Sequence, residues 1–393
     1  MPAETSQPEK PVAPAAGPGT AGQAGRPGCP AAPAEKAAAP PLVVGHWPHL
    51  RGPDSTAIIM WSVVVCLLPA AVASGYFFGI RAYLHIALAA STAVLVEGVI
   101  TRLRLGKTTV GDGSAVVTGM LVGFCLPAQA RWFVPIVASG VAIAIAKQCF
   151  GGLGCNIWNP ALIGRAFVHI AYPTDMNPSS YPVLQGGHFL SNIGTALQQN
   201  LPEGVQATTG ASPMALLKAV AAGHADFPGR LPSLWDMAVG NIGGNIGETS
   251  AVLLVLGAIY LIAKGWVRWQ IPAAYLATVA LGALLLPLDA GEKGWMPVLF
   301  SPGAATLAPP FVAYHLLGGG LILGAFYMAT DMVTTPLTTR GMLIFGFGCG
   351  VLTILIRLYG GYPEAVCYSI LLMNTAVPLI DRVTQPRIFG HAR

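Results

Sequence analysis

The stretch Phe150–Phe167, FGGLGCNIWNPALIGRAF, decides the fold when set beside Gly318–Gly341, GGGLILGAFYMATDMVTTPLTTRG. Each joins a glycine cluster to a polar Asn/Thr/Asp–Pro stretch inside an otherwise apolar region. Outward from them, apolar runs follow one another near 56–79, 82–101, 113–129, 132–149, 160–172, 248–264, 271–288, 311–329, 341–358 and 364–380. Most approach the roughly 20 residues that cross a bilayer as a helix. The runs 113–129 and 160–172 are short and flanked by Gly and Pro, as half-helices or re-entrant segments are. The long loop 173–235 leaves five runs before it and five after. An odd number of spans per half inverts the second half relative to the first. The expected fold is therefore an all-α integral membrane protein. It has about ten transmembrane helices in two inverted five-helix repeats.

Composition agrees. The 393 residues are 54% hydrophobic and only 9% charged, with mean hydropathy +0.62. Soluble domains carry about 25% charged residues, so lipid is the expected solvent for most of the chain. The net charge of +5 is scattered and makes no basic, aromatic-rich face, which argues against nucleic acid. Seven cysteines (29, 66, 125, 149, 155, 349, 367) form no CxxC pair. Five lie inside apolar runs, where Cys acts as a small hydrophobe, and neither a disulfide framework nor a metal site is expected. No turn matches GxxxxGK[ST] or a strand–GxGxxG–helix unit, so nucleotide hydrolysis and a dinucleotide fold are poor fits.

Four regions follow. Residues 1–46, almost all Pro, Ala and Gly, read as a disordered tail. A first membrane repeat covers 47–172, an outer loop 173–235 and a second repeat 236–393. The excess of Lys and Arg on one side of the alternating spans puts both termini in the cytoplasm and the loop outside.

Carboxylates at membrane depth need a partner, water or a function. Glu97, four residues before the basic turn TRLRLGK, reads as paired with a nearby Arg. Asp112, in GKTTVGDGSAVVTG, reads as a helix cap or a ligand-binding group. Glu248, in GNIGGNIGETS, could serve a helix N-terminus. Asp331 has the best functional case, with Thr334, Thr335, Thr338 and Thr339 beside it. In the outer loop, Thr208, Thr209 and Ser212 surround Gly210 and Ala211 ahead of MALLKAV. They form either a helix start or a set of hydroxyls open to covalent modification.

Several stretches together resemble a known family. They are GDGSAVVTGMLVGFCLPA, AKQCFGGLGCNIWNPALIGRAF, TTGASPM, GNIGETS, FYMATDMVTTP and RLYGGYPEAVCYSILLMNTAVPLID. In order they resemble the D subunit of the Rnf complex and, more broadly, the B subunit of the sodium-pumping NADH:quinone reductase. The resemblance implies ten helices in two inverted halves, similar to urea transporters. It implies an FMN held through its phosphate on an outer-loop hydroxyl, and a second, non-covalent flavin (riboflavin or FMN) between helices. The acceptor motif, Asp-x-x-Ser/Thr-Gly-Ala-Thr/Ser, falls on Gln206 to Ser212. Ser212 takes the acceptor place beside Thr208, Thr209, Gly210 and Ala211, and Gln206 stands where the motif has an acid.

Asn156, Asn159, Arg165, Glu248, Asp331, Thr334 and Thr335 are the groups expected to bind flavin from within the membrane, on position and residue type. The function implied is electron relay in an Rnf-type, ion-translocating ferredoxin:NAD oxidoreductase of the bacterial inner membrane. Partners would be the A, B, C, E and G type subunits and a flavin transferase. The rivals are the quinone-reductase subunit and a small-solute channel.

Overall fold

A computed structural model describes residues 54–176, 181–182, 209–210, 212–221, 231–248, 250–289, 295–300, 304–361 and 364–385. The expected tail, 1–46, and much of the loop 173–235 lie outside these.

Helix α1 (Thr56–Phe78) starts at Ser55, whose hydroxyl accepts the Ile58 N–H at 3.3 Å, so an otherwise orphan donor is satisfied. Gly79, at φ 72°, turns the chain into α2 (Ile80–Leu105). That helix ends with Arg102 and Arg104 in its last turn and a left-handed Gly106, a favourable charge and backbone for a C-terminus. The short α3 (Ser114–Phe124) follows a single 3-10 turn. Helix α4 (Val134–Val141) continues without a break as a π-helix, Ala142–Gln148. Helix α5 (Pro160–Ala171) begins on Asn159 with Pro160 in its first turn, where a missing N–H costs nothing.

On the loop, strand β1 (Tyr181–Pro182) pairs antiparallel with β2 (Thr209–Gly210). Helices α6 (Pro213–Ala221) and α7 (Leu234–Val239) come next. The second half holds α8 (Ala251–Ala263), α9 (Gln270–Leu285) and a hairpin of β3 (Pro287–Asp289) with β4 (Trp295–Pro297). Helix α10 (Ala304–Leu317) meets α11 (Leu321–Leu323), which runs on as a second π-helix, Gly324–Met328. The two are bent by 60° across Gly318–Gly320. Helices α12 (Thr339–Tyr359) and α13 (Val366–Val383) complete the described chain.

Among the described residues, α1, α2, α12 and α13 are each long and apolar enough to cross a membrane, and the bent α10–α11 pair would make a fifth crossing. Val65, Val72, Leu95 and Val99 point outward from α1 and α2. Such a row of exposed aliphatics is a lipid face. The 11 residues of α3 span about 16 Å at 1.5 Å each, roughly half of a ~30 Å hydrocarbon core. The short runs expected at 113–129 and 160–172 are thus short helices. Among the described residues the protein is mostly helical, in keeping with the expected all-α membrane fold, with two short strand pairs between helices. One expectation changes. The run placed at 311–329 starts earlier, because α10 carries Pro309 and Pro310 inside it. A proline pair reads as a boundary in sequence, but neighbouring helices in a membrane tolerate it.

Close backbone approach sets the packing of α2 against α3. A Cβ on Gly119 would lie 2.5 Å from the Ala90 Cα and 2.8 Å from the Ala89 carbonyl oxygen. Neither backbone atom can swing aside. Gly119→Ala is expected to lower stability by about 1–3 kcal/mol through overpacking. Gly140→Ala, where a Cβ meets nothing within 4 Å, should be neutral or slightly stabilising. Thermal unfolding of the two purified variants tests this, and equal midpoints would sink it.

Candidate functional site

The first polar cluster sits where the π-helix after α4 faces α2. A π-turn inserts one extra residue and re-aims side chains, and such turns are frequent at functional sites. Here Lys147 Nζ meets Glu97 Oε2 at 2.6 Å and Ser114 Oγ at 2.6 Å. Lys147 is 2% exposed and Glu97 1%. Thr109 donates to Glu97 Oε1 at 3.3 Å. Glu97 therefore pairs with a lysine 50 positions away rather than with an arginine of the adjacent turn. Asp112 accepts the Ser114 N–H at 2.9 Å and its hydroxyl at 2.7 Å. That is the capping role, and it also orients Ser114 toward Lys147.

The two glycine–polar stretches meet beside this pair. Asn159 caps α5 by accepting the Ala161 N–H at 3.0 Å. Its amide donates to the Met328 carbonyl at 3.1 Å, the end of the second π-helix. Asn374 of α13, with its amide turned to satisfy both groups, accepts the Asn159 N–H at 3.1 Å and donates to the Thr334 carbonyl at 3.3 Å. Asp331 receives Thr334 Oγ1 at 3.3 Å and, more weakly, Asn156 Nδ2 at 3.5 Å. Ser114, Lys147, Asn156, Asn159, Tyr327 and Asp331 line one cavity of about 70 Å³. The hydroxyl set expected around Asp331 is smaller than foreseen. Thr334 reaches it, whereas Thr338 caps α12 by accepting the Gly341 N–H, and Thr335 is not drawn in.

Arg165 and Glu248 belong to a separate cluster. Arg165 of α5 forms an ion pair with Glu364, just ahead of α13. Asn245 donates to Glu364 Oε2 at 2.7 Å and to Glu248 Oε1 at 2.9 Å. The cavity that Arg165, Asn245 and Glu248 share with Cys125 and Cys367 is about 10 Å³, near the size that admits one water. Glu248 does not cap α8. Ser250 does, at φ 54°, accepting the Leu253 N–H.

Outside the membrane helices, Ser212 is the N-cap of α6. Its Oγ accepts the Ala215 N–H at 3.2 Å, and its carbonyl accepts the Leu216 N–H. Met214 seats on the bend after α10. A Cβ on Gly318 would come 2.7 Å from Met214 Sδ, and one on Gly319 would come 3.0 Å from its Cγ. Lys218 donates to the Gly360 carbonyl at the end of α12. Beneath the bend, Arg357 of α12 donates to the His315 and Gly318 carbonyls at 2.5 and 2.8 Å, satisfying a helix C-terminus. Thr208 and Ala211 lie outside the described residues, and of Thr209 and Gly210 only the backbone pairing is described.

Lys147, Asn245, Asn374 and Arg357 are buried polar groups that sequence reasoning did not assign to a site. The available signal for Lys147, Asn374 and Arg357 was a polar residue within an apolar helical run, and for Asn245 its place in the Gly-rich stretch GNIGGNIGETS. Among the described residues no three His, Cys, Asp or Glu side chains gather as a metal site.

Comparison with known proteins gives consistent matches. The profile of the NQR2, RnfD, RnfE family matches residues 43–390. The chain is 43% identical over 351 residues to the D subunit of the Na(+)-translocating ferredoxin:NAD(+) oxidoreductase complex of Acetobacterium woodii, covering 89% of this chain and 95% of that one. It is 42% identical over 350 residues to the D subunit of the proton-translocating ferredoxin:NAD(+) oxidoreductase complex of Clostridium ljungdahlii, covering 88% and 95%. It is 36% identical over 357 residues to the D subunit of the ion-translocating oxidoreductase complex of Pectobacterium atrosepticum, covering 86% and 95%.

Proposed function

Because this chain belongs to the NQR2, RnfD, RnfE family, we propose that it is the D-type membrane subunit of an Rnf-type, ion-translocating ferredoxin:NAD oxidoreductase. In this reading it relays electrons through an FMN on Ser212 and a second, non-covalent flavin. The observation that carries the reading is near-full-length identity to three such D subunits, two of them named for ferredoxin:NAD oxidoreductase complexes. Other subunits of the complex are its partners, and a flavin transferase loads it.

The residues present supply the chemistry the covalent group needs, while the docked helix encloses Ser212 at 1% exposure. Ser212 supplies a hydroxyl, and α6 is a nine-residue helix whose N-terminal N–H groups favour a phosphate. Bound there, the flavin would accept and pass on electrons, while the protein sets its position and surroundings. The inner cavity does not suit a flavin ring. Its 70 Å³ is far below the roughly 300–1,000 Å³ of organic-ligand pockets. No step is routed through it, and the second flavin would lie elsewhere between the helices.

Two inverted halves in a bacterial inner membrane, with cytoplasmic termini, complete the proposal. Its support is the recurrence in each half of a π-helix, a polar break and a capped helix, as in folds built on paired discontinuous helices.

Peptide mapping of residues 204–218 after co-expression with a flavin transferase tests the reading. An FMN-sized mass on Ser212 is expected. An unmodified peptide would overturn the covalent assignment, and the same mass on Thr208 or Thr209 would shift the register. Co-purification with iron–sulfur subunits of Rnf type is also expected; a quinone-reductase set would replace the assignment.

A further inference from the structure

Helices α1 and α8 pinch together at one point. A Cβ on Gly257 would lie 2.8 Å from the Cys66 carbonyl oxygen, so the two backbones nearly touch there. The start of α1 lies beside the end of α8, where Trp266 Nε1 donates to Asp54 Oδ2 at 3.0 Å. The pair therefore runs antiparallel. Along its exposed flank opens a groove of about 740 Å³, a volume typical of organic-ligand sites. Ala57, Trp61 and Pro69 line it from α1, and Leu253, Leu256 and Tyr260 from α8. The Trp61 ring is tied back, its N–H donating to the Gly111 carbonyl at 3.4 Å, so this wall of the groove is preformed.

Length and charge say what fits. From Ala57 to Pro69 the lining runs about 18 Å at 1.5 Å per residue. One leaflet supplies about 15 Å of hydrocarbon, whereas a spanning helix needs about twice that. The groove thus matches an apolar chain confined to one leaflet. One end of it is cationic. Ala57 is in the first turn of α1 and Tyr260 in the last turn of α8. Lys264, the residue after α8, holds its Nζ 6.0 Å from the Tyr260 ring centroid. Arg268 follows in the same connection to α9, and both cations are exposed. The three ion pairs among the described residues include neither. An ammonium at the mouth of an apolar groove between helices is suited to a lipid phosphate.

We propose that the groove between α1 and α8 binds one anionic phospholipid, an acyl chain lying along Trp61 and Leu256 and the phosphate at Lys264. The lipid then fastens the start of the membrane part to a helix of its second half. This requires only the membrane fold and is independent of any flavin.

The whole chain, purified in detergent and stripped of lipid, is returned to micelles holding phosphatidylglycerol or phosphatidylcholine. Native mass spectrometry counts the phospholipid retained. Phosphatidylglycerol should be preferred by about fivefold for each cation at headgroup level. Lys264→Gln should lower that preference about fivefold. Leu256→Trp, which fills the groove, should abolish retention of both lipids. Val72→Trp, at an exposed position of α1 outside the groove, should leave retention unchanged. Salt at about 1 M should erase the preference with no substitution at all. Equal retention of the two lipids by the unaltered chain, or a preference that ignores both salt and Lys264→Gln, would overturn the phosphate contact. Undiminished retention in Leu256→Trp would overturn the groove as its place. In the assembled complex, a photo-cross-linker at position 256 should capture phospholipid. Capture of another subunit, or of a prenyl chain without phosphorus, would replace the occupant.

Discussion

On the proposed attachment of FMN to Ser212, Ser212→Ala is expected to abolish covalent flavin and to bring electron flow through the assembled complex to background. The change deletes one oxygen. Its structural effect should be small, about 0.5–2 kcal/mol for a lost N-cap, because Ala fits the space and Met214, Leu217 and Lys218 still hold α6. Its chemical effect is complete, since no phosphoester can form on a methyl group. Ser212→Thr keeps both the hydroxyl and the cap and should retain the fluorescent band. Folding of Ser212→Ala is checked by its unfolding midpoint and by co-purification of partners. A fluorescent Ser212→Ala band, or undiminished electron transfer, would refute the role given to Ser212.

The helical, membrane-spanning character was legible in the sequence because lipid imposes a strong rule. Every backbone polar group must be satisfied inside its own segment, so each apolar run is nearly forced to be a helix. The runs 56–79 and 341–358 accordingly fall on α1 and α12. The hairpin of β3 and β4 was missed for the complementary reason. It begins at the very end of the run 271–288 and lies mostly beyond it, where Pro287–Asp289 and Trp295–Pro297 pair through backbone groups and carry no periodic signal of their own.

Residue identity located the polar sites but not their partners. Asn159 was legible as a helix start because Asn–Pro is a local signal. That its amide also reaches Met328, 169 positions away, follows only from the meeting of the two breaks. Arg165 and Asp331 were grouped together on similar grounds. The structure separates them, because Arg165, one turn further along α5 than Ala161, meets Glu364 and the Asn245–Glu248 segment instead. Sequence spacing carries no information on which buried carboxylate a distant cation will find.

Lys147 is the sharpest example, and it supports the other large prediction. In the sequence it served as a marker of membrane orientation. In the fold it is buried against Glu97 and Ser114. Lys147→Met should destabilise the chain by about 3–5 kcal/mol, because it strands the Glu97 carboxylate at 1% exposure with only the Thr109 hydroxyl for company. Glu97→Gln should cost a similar amount by stranding the ammonium. The double variant, Glu97→Gln with Lys147→Met, should recover most of the loss, since no uncompensated charge remains. Unfolding midpoints of all four proteins close a double-mutant cycle. Simple additivity would refute the pairing.

The same double variant then separates two roles for the pair. Lys147 and Ser114 also line the cavity that holds Asp331. If the ion pair only fastens α2 to the π-helix, the refolded double variant should restore electron transfer and ion translocation together. If the ammonium also sets the charge balance facing Asp331, the double variant should be stable and electron-competent yet deficient in ion movement. Ion uptake by vesicles containing the complex distinguishes these outcomes. The fold permits the second role because Lys147 reaches the cavity from a π-turn, whereas an α-helical register would aim residue 147 along a different direction.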